Sequence, residues 1–197
     1  MTFTEKKFQI PELIGISTKT IEEHLKLYSG YVKNTNLILE KINEARSTEE
    51  SISKNTYAIS EMQRRFAFEF NGMRNHEYYF EQFESGANSI NQDHKLFKTI
   101  TDTWGSFDSW IIRFKEIAMT RGVGWAVLYF DKKTNNLIHT WIDEQHIGHL
   151  ADTQIILALD MWEHSYMLDC APSEKKNYIE YFFQNLNWNI IEGRFEK

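Results

Sequence analysis

The sequence contains little cysteine, little proline and no long apolar run, and each of these absences excludes a class of protein. Its only cysteine, Cys170, cannot form an internal disulfide, so we expect a reducing, cytoplasmic location. With 2 prolines and no low-complexity tract, long disordered linkers are not expected. No run approaches the roughly 18 apolar residues of a membrane span, and the first residues do not resemble a signal peptide.

Positive charge is also scarce. Lysine and arginine number 22 against 28 aspartates and glutamates, which gives a formal net charge of −6. We therefore expect neither nucleic acid nor an anionic membrane as a partner. Hydrophobic residues make up 42% and charged residues 25% of the 197 residues, which is typical of a globular protein with one core or two small lobes.

The first half of the chain has helical periodicity. Residues 17–45 place their apolar side chains near one stripe, and either Ser17 or Thr20 can cap this helix at its N-terminus. A polar stretch over 46–54 leads to a second predicted helix over 55–83, in which apolar residues recur at steps of three and four. Two long helices with a short polar connection predict an antiparallel hairpin.

The second half combines short helices with strands. The pattern predicts helices over 94–103 and 107–120, strands over 125–130, 137–142 and 155–159, and closing helices over 174–185 and 188–195. The stretch around Gly86 is the predicted boundary between two lobes. We therefore expect an α+β protein with two domains. Residues 1–86 would form a long antiparallel helical hairpin, and residues 87–197 an α/β domain with a small three-stranded antiparallel sheet.

The third predicted strand is followed by the string Asp160-Met161-Trp162-Glu163-His164-Ser165-Tyr166. An aspartate and a histidine four residues apart can converge on one point if the chain turns helically between them. This pair of ligand types suits iron or manganese better than soft metals. Taken alone, the spacing more often marks a buried acid that caps a turn and a histidine that hydrogen-bonds to a neighbour.

The string resembles the D-x-W-E-H-A-Y signature of the iron/manganese superoxide dismutases. The similarity extends in chain order to Trp104-Gly105-Ser106-Phe107-Asp108, Gly124-Trp125-Ala126, Asn187-Trp188 and Arg194-Phe195. The resemblance implies an enzyme that disproportionates superoxide to dioxygen and hydrogen peroxide at one metal ion. The alternative is a catalytically silent metal-binding scaffold of the same fold. A di-iron helical bundle would need paired Glu-x-x-His motifs, which the sequence lacks.

The resemblance implies four metal ligands, which are His24, His76, Asp160 and His164. His76 lies in an N-H-x-x-x-F string that resembles the ligand motif of the family's second helix. The first helix departs from the family pattern, because Tyr31 follows His24 at seven residues instead of eight. Seven helical steps return to within about 20° of the starting face, whereas eight end about 80° away. We therefore take His24 as the ligand and keep Glu23 as the alternative.

Residues around the ligands tune a metal. In the manganese type of the family, a glutamine from the loop before the third strand serves the metal-bound solvent, and the second helix has a glycine one turn before its ligand. Gly72 and Gln145 match this type, with His146 as the alternative to Gln145. We expect one manganese or iron ion per chain, with manganese favoured and both ions tolerated. Tyr31 is expected to hydrogen-bond Gln145 and gate protons, whereas His146 and His149 otherwise form a solvated pair in the loop.

Three further residues are assigned by the resemblance. Trp125 and Trp162 are expected to wall the site, which would exclude water and strengthen nearby dipoles. Glu163 is expected to hydrogen-bond the partner subunit's His164 across a twofold axis, which implies an isologous homodimer. The sequence leaves open whether the assembly is a dimer or a tetramer.

Overall fold

The computed structural model describes residues 1–195, and within them two long helices precede a lobe of helices and sheet. The helices are α1 (Thr18–Ala45), α2 (Glu49–Glu81), α3 (Lys95–Trp104), α4 (Phe107–Ala118), α5 (Lys175–Gln184) and α6 (Trp188–Phe195). The strands are β1 (Gly124–Asp131), β2 (Asn136–Asp143) and β3 (Thr153–Asp160), and two 3-10 helices cover Glu163–Ser165 and Pro172–Glu174. The predicted fold class is confirmed, although positions 196 and 197 of the predicted second domain lie outside the described residues. No helix in this part of the chain has the length and apolar character needed to cross a membrane.

Ser17 caps α1 by accepting a hydrogen bond from the backbone N–H of Thr20, so the first of the two candidate caps is the one used.

The connection between the two long helices is shorter than predicted. Thr48 caps α2 by accepting from the backbone N–H of Ser51, and α2 therefore begins at Glu49. The predicted start at residue 55 is wrong, because polar residues are compatible with the solvent-facing first turns of a helix.

The sheet has the order β2-β1-β3, with β1 antiparallel to both neighbours. The central strand β1 is buried from Gly124 to Tyr129, as expected for a strand covered on both faces. Trp125 of β1 pairs with Asp160 of β3. One end of the sheet therefore presents an indole and a carboxylate side by side.

Buried polar side chains join the hairpin to the second lobe. Gln82, directly after α2, donates from Nε2 to the carbonyl of Ala158 in β3 at 2.6 Å. Arg194 of α6 donates to the carbonyls of Ile156 and Tyr78 at 3.0 and 2.8 Å. Because buried carbonyl groups need donors, these contacts satisfy the backbone and also fix α2 against β3.

Candidate metal centre

Three imidazoles and one carboxylate converge between the two lobes. The Nε2 atoms of His24 and His164 lie 3.1 and 3.2 Å from Oδ2 of Asp160, and Nε2 of His76 lies 3.6 Å from the same oxygen. One ligand atom from each of the four residues lies within 4.8 Å of all the others. The side chain of His164 is 22% exposed while the other three are fully buried, so the cluster approaches the surface at His164.

Four different elements bring these side chains together. His24 comes from α1 and His76 from α2, while Asp160 is the last residue of β3. The 3-10 helix Glu163–Ser165 then turns the chain back, so that His164 returns to the aspartate four residues before it. The structure therefore has the helical turn that the four-residue spacing requires.

Hydrogen bonds hold the carboxylate and the backbone of Asp160. The N–H of Trp162 donates to Oδ1 at 2.8 Å, which leaves Oδ2 to face the imidazoles. The backbone carbonyl of Asp160 accepts from the hydroxyls of Tyr178 and Ser165 at 2.8 and 3.1 Å. Sequence analysis assigned no role to Tyr178 or Ser165, because a hydroxyl that supports a backbone carbonyl leaves no local pattern.

The tautomer of His76 leaves one nitrogen free for a cation. Its Nδ1 lies 2.6 Å from the carbonyl of Gly72, which can only accept, so Nδ1 carries the proton. Its Nε2 is buried and has no hydrogen-bond partner among the described residues. An unpaired buried lone pair is costly, and a metal ion would satisfy it. A donor set of three imidazoles and one carboxylate suits iron or manganese, so the residues present fit a mononuclear site.

Burial and charge set the protonation of the cluster. Burial lowers the pKa of His76 to about 3 and also lowers the pKa of His24. Both imidazoles are therefore neutral near pH 7, the form that binds metals. Burial alone would raise the pKa of Asp160, but the electrostatic and hydrogen-bond interactions of its carboxylate with His164 and His24 outweigh it. The pKa of Asp160 is lowered as a result, and the carboxylate is ionised.

Glu23, the alternative to His24, lies away from the cluster. Its side chain is 51% exposed and pairs with Lys26 at 2.7 Å. Tyr31, seven residues after His24, places its ring centroid 5.0 Å from that of His76. The structure thus brings His24 and Tyr31 to one side of α1 and leaves Glu23 on the surface.

The side chain of Gln145 is fully buried and is held at both ends of its amide. Its Oε1 accepts from Nε1 of Trp125 at 2.9 Å, and its Nε2 donates to the hydroxyl of Tyr31 at 3.0 Å. His146, the alternative, instead contacts Phe68, with 5.7 Å between ring centroids. Burial raises the pKa of Tyr31, so its phenol keeps its proton at the end of this hydrogen-bonded chain.

His149 is not the solvated loop residue that the sequence predicted. Its Nδ1 lies 2.7 Å from the hydroxyl of Tyr129, and its Nε2 lies 3.2 Å from the backbone carbonyl of Gln145. The side chain of Asn75 donates to the same carbonyl at 3.0 Å. The sequence did not predict these contacts, because only the closure of the loop brings the partners together.

Two tryptophans line the cluster. The ring of Trp125 lies 5.1 Å from that of His76, measured between centroids, and Trp162 stacks on His164 at 5.7 Å. The indole N–H of Trp162 donates to the carbonyl of Glu144 at 3.2 Å, which ties the wall of the site to the loop. Glu163 lies beside this wall and is exposed.

Comparisons with known proteins agree with this geometry. Residues 13–84 match the family model "Iron/manganese superoxide dismutases, alpha-hairpin domain", and residues 92–194 match the model of the C-terminal domain of the same enzymes. A superoxide dismutase [Fe] of Pyrobaculum aerophilum is 30% identical over 176 residues, which cover 88% of this chain and 81% of that protein. The superoxide dismutase [Fe] of Aquifex pyrophilus is 30% identical over 187 residues, 94% of this chain and 86% of the relative. That of Methanothermobacter thermautotrophicus is 29% identical in an alignment that covers 100% of this chain and 98% of the relative.

Proposed function

This chain belongs to the iron/manganese superoxide dismutases, and we propose that it holds one iron or manganese ion through His24, His76, Asp160 and His164. The chain is a superoxide dismutase, so its reaction converts two superoxide anions and two protons to dioxygen and hydrogen peroxide. The observation that carries the proposed metal site is the approach of three imidazole nitrogens to one oxygen of Asp160. A complete set of four ligand side chains does not favour the alternative of a silent scaffold.

The bound ion would supply a centre that takes an electron from one superoxide and returns it to a second. The protein supplies the charge balance and the dry surroundings. Asp160 contributes one negative charge and the neutral imidazoles contribute none, so part of the charge of a di- or trivalent cation remains to attract an anionic substrate. Trp125 and Phe80, both fully buried, exclude water beside the imidazoles and strengthen the effect of nearby dipoles.

We infer that Gln145 and Tyr31 orient the proton donors of the reaction. Release of dioxygen needs no proton, whereas release of hydrogen peroxide needs two. The hydrogen-bonded chain from Trp125 through the Gln145 amide to the Tyr31 hydroxyl leads from the buried centre to a half-buried phenol. This path supports a role in the second half of the reaction, because the Tyr31 phenol keeps its proton and orients the hydrogen-bonded chain beside the metal centre.

We propose that the chain is active with either ion. Gly72 on α2 and the loop residue Gln145 are the arrangement that the resemblance associates with manganese, and this favours manganese. The relatives named above are designated as iron enzymes, which favours iron.

Reloading the metal-free protein tests both the metal site and the choice of ion. Apoprotein would be reloaded separately with Fe²⁺ and Mn²⁺, its metal content measured, and its consumption of superoxide followed. We expect one ion per chain and activity from both preparations. Activity from only one preparation would refute tolerance of both ions, and a protein that takes up an ion but consumes no superoxide would support the silent scaffold.

We propose that the protein is an isologous homodimer in which Glu163 accepts a hydrogen bond from the partner subunit's His164. The exposed Glu163 and the partly exposed His164 are adjacent, which suits reciprocal contacts across a twofold axis. Met167 and Leu168, 47% and 55% exposed, follow within a few residues and supply apolar surface.

We also propose a division into domains 1–86 and 87–197 and a cytoplasmic location. The hairpin match ends at residue 84 and the C-terminal match begins at residue 92, which supports a boundary between them. Cys170 is a free, buried thiol, which agrees with a reducing compartment.

A further inference from the structure

The loop between β2 and β3 folds back on itself and so carries Gln145 into the interior. Asp143 and Ile147 exchange two backbone hydrogen bonds, with N···O distances of 2.9 and 3.1 Å. Glu144 has a φ of +52° and Gly148 a φ of +98°, so the chain reverses on either side of the buried residue. The backbone carbonyl of Gln145 contacts the buried Asn75 and the half-buried His149, and a buried carbonyl needs donors from the protein.

His149 supplies one of these donors, and its tautomer is fixed by its neighbours. The carbonyl of Gln145 can only accept, so Nε2 of His149 carries the proton at this 3.2 Å contact. Nδ1 must then accept from the hydroxyl of Tyr129, 2.7 Å away. Tyr129 is 2% exposed and belongs to the central strand, so the imidazole is anchored to the rigid sheet.

We propose that His149 is a positioning residue for the dismutation reaction. By holding the backbone carbonyl of Gln145, it sets how far the amide of Gln145 reaches toward the metal centre, and this in turn sets the midpoint potential of the ion. The inference rests on the proposed metal site, and it gives the amide of Gln145 an effect on the potential in addition to its proposed role with the proton donors. The two contacts of the amide, at 2.9 and 3.0 Å, lie near the middle of the hydrogen-bond range, and a movement of about 0.5 Å would take them beyond it.

Two substitutions at position 149 distinguish the contact of the imidazole with the Gln145 carbonyl from its contact with the Tyr129 hydroxyl. The side-chain amide of glutamine reaches about as far as Nε2 of histidine, so His149→Gln keeps a donor for the carbonyl of Gln145. The amide of asparagine reaches only as far as Nδ1, so His149→Asn keeps a partner for Tyr129 and loses that donor. A third variant, Tyr129→Phe, removes the hydroxyl that anchors the imidazole and keeps His149 itself unchanged.

The readout is the midpoint potential of the loaded ion, measured by spectroelectrochemistry. We expect His149→Asn to change the ratio of oxidised to reduced ion at a fixed potential by at least tenfold, which is about 59 mV for a one-electron couple. His149→Gln should stay closer to the unsubstituted protein than His149→Asn does. Tyr129→Phe should shift the potential in the same direction as His149→Asn, and this variant decides the question if His149→Asn fails to fold.

His139→Asn is the matched control, because this imidazole belongs to the same lobe and packs between Trp104 and Phe114 instead of contacting the loop. It should lower the melting temperature without moving the potential. Equal potential shifts in His149→Asn, His149→Gln and His139→Asn would overturn the proposal, since general loosening would then explain them. Unchanged potentials in His149→Asn, or in Tyr129→Phe where His149→Asn does not fold, would overturn it as well.

Gln145→Asn separates this inference from the function on which it rests. Shortening that side chain withdraws the amide directly, so it should shift the potential in the same direction as His149→Asn. If Gln145→Asn leaves the potential unchanged, the amide of Gln145 does not set the potential and the inference fails, whereas its proposed role with the proton donors is judged by the rate of superoxide consumption. If Gln145→Asn shifts the potential and His149→Asn does not, only the role of His149 is refuted.

Discussion

Gly72 and Tyr31 pack so closely that a Cβ atom on Gly72 would lie 2.5 Å from Cδ1 of the tyrosine ring. The ring rests on the bare backbone of α2, one turn before His76, and its hydroxyl lies 3.0 Å from Nε2 of Gln145. A side chain at position 72 would therefore compete with the ring for the same space. The absence of a side chain at this position is a structural condition for the hydrogen bond between Tyr31 and Gln145.

Gly72→Ala should displace Tyr31 and reduce activity. Overpacking costs about 1–3 kcal/mol, and alanine recovers about 1 kcal/mol of helix propensity, so we expect a net loss of stability of up to about 2 kcal/mol. Proton-donating groups contribute about 10²–10⁴-fold to rates, so a displaced phenol should lower the rate of superoxide consumption by about tenfold or more. Urea unfolding and a superoxide consumption assay measure the two effects.

Gly30→Ala is the matched control for this substitution. Gly30 also lies in a long helix, but a Cβ atom there would meet nothing within 4 Å. Alanine should therefore stabilise the protein by about 1 kcal/mol through helix propensity alone and leave activity unchanged. If both alanine variants behaved alike, the close approach of Tyr31 to α2 would have no energetic consequence.

His24→Ala should abolish metal binding, whereas Glu23→Ala should leave one ion per chain. The two residues are adjacent in sequence, but His24 is fully buried in the cluster and Glu23 is a half-exposed partner of Lys26. Removal of this surface ion pair should cost little, because solvent screens the two charges. Metal analysis of the two purified variants, both checked for native circular dichroism, gives the answer. Retention of the ion by His24→Ala would show that His24 is not a ligand.

The sequence could predict this site where one periodicity or one short motif determines the geometry. The seven-residue step from His24 to Tyr31 is close to two helical turns, so a shared face follows from helix geometry alone. Asp160 and His164 are four residues apart and need only a local turn, which the 3-10 helix after β3 provides. In both pairs the relationship is contained within a few residues of chain.

The remaining features depend on contacts between distant segments. Sequence periodicity did not predict that α2 begins at Glu49, only a few residues after α1 ends, because polar first turns of a helix resemble a loop. It also did not predict that His149 contacts Tyr129 and Gln145, because the contact forms only when the loop closes onto the sheet. The resemblance to the family did not predict this contact either, since the motifs on which the resemblance rests do not include His149.

The metal-free protein should lose stability as the pH falls below about 6.5. Burial lowers the pKa of His76 to about 3 in the folded protein, against about 6.5 in the unfolded chain. The unfolded state therefore binds this proton more tightly. Above about pH 6.5, His76 does not affect the free energy of unfolding. Below it, the free energy of unfolding falls by about 1.4 kcal/mol for each pH unit down to about pH 3. Urea unfolding of apoprotein at several pH values measures this slope.

His76→Gln provides the control for the acid effect, because glutamine does not titrate. In the apoprotein of this variant, stability should fall more gently between about pH 6.5 and 4.5, since this one proton is no longer taken up on unfolding. Asp160 contributes only at lower pH, because its pKa is lowered in the folded state and its protonation begins near about pH 4 in the unfolded chain. Identical slopes for the two apoproteins would mean that His76 is not buried as a neutral imidazole.

Glu163→Gln should weaken the proposed homodimer while leaving each subunit folded. Glu163 is exposed and adjacent to the partly exposed His164, so a twofold-related subunit would bury a carboxylate against an imidazole on each side. Loss of that charge at two equivalent contacts should raise the dissociation constant by about tenfold or more, which sedimentation velocity over a range of protein concentrations would detect.

Glu40→Gln makes the same change in net charge at an exposed position of α1 and should leave the dissociation constant unchanged. Equal dissociation constants for the two variants would remove Glu163 from the interface, and a monomeric unsubstituted protein would refute the dimer itself.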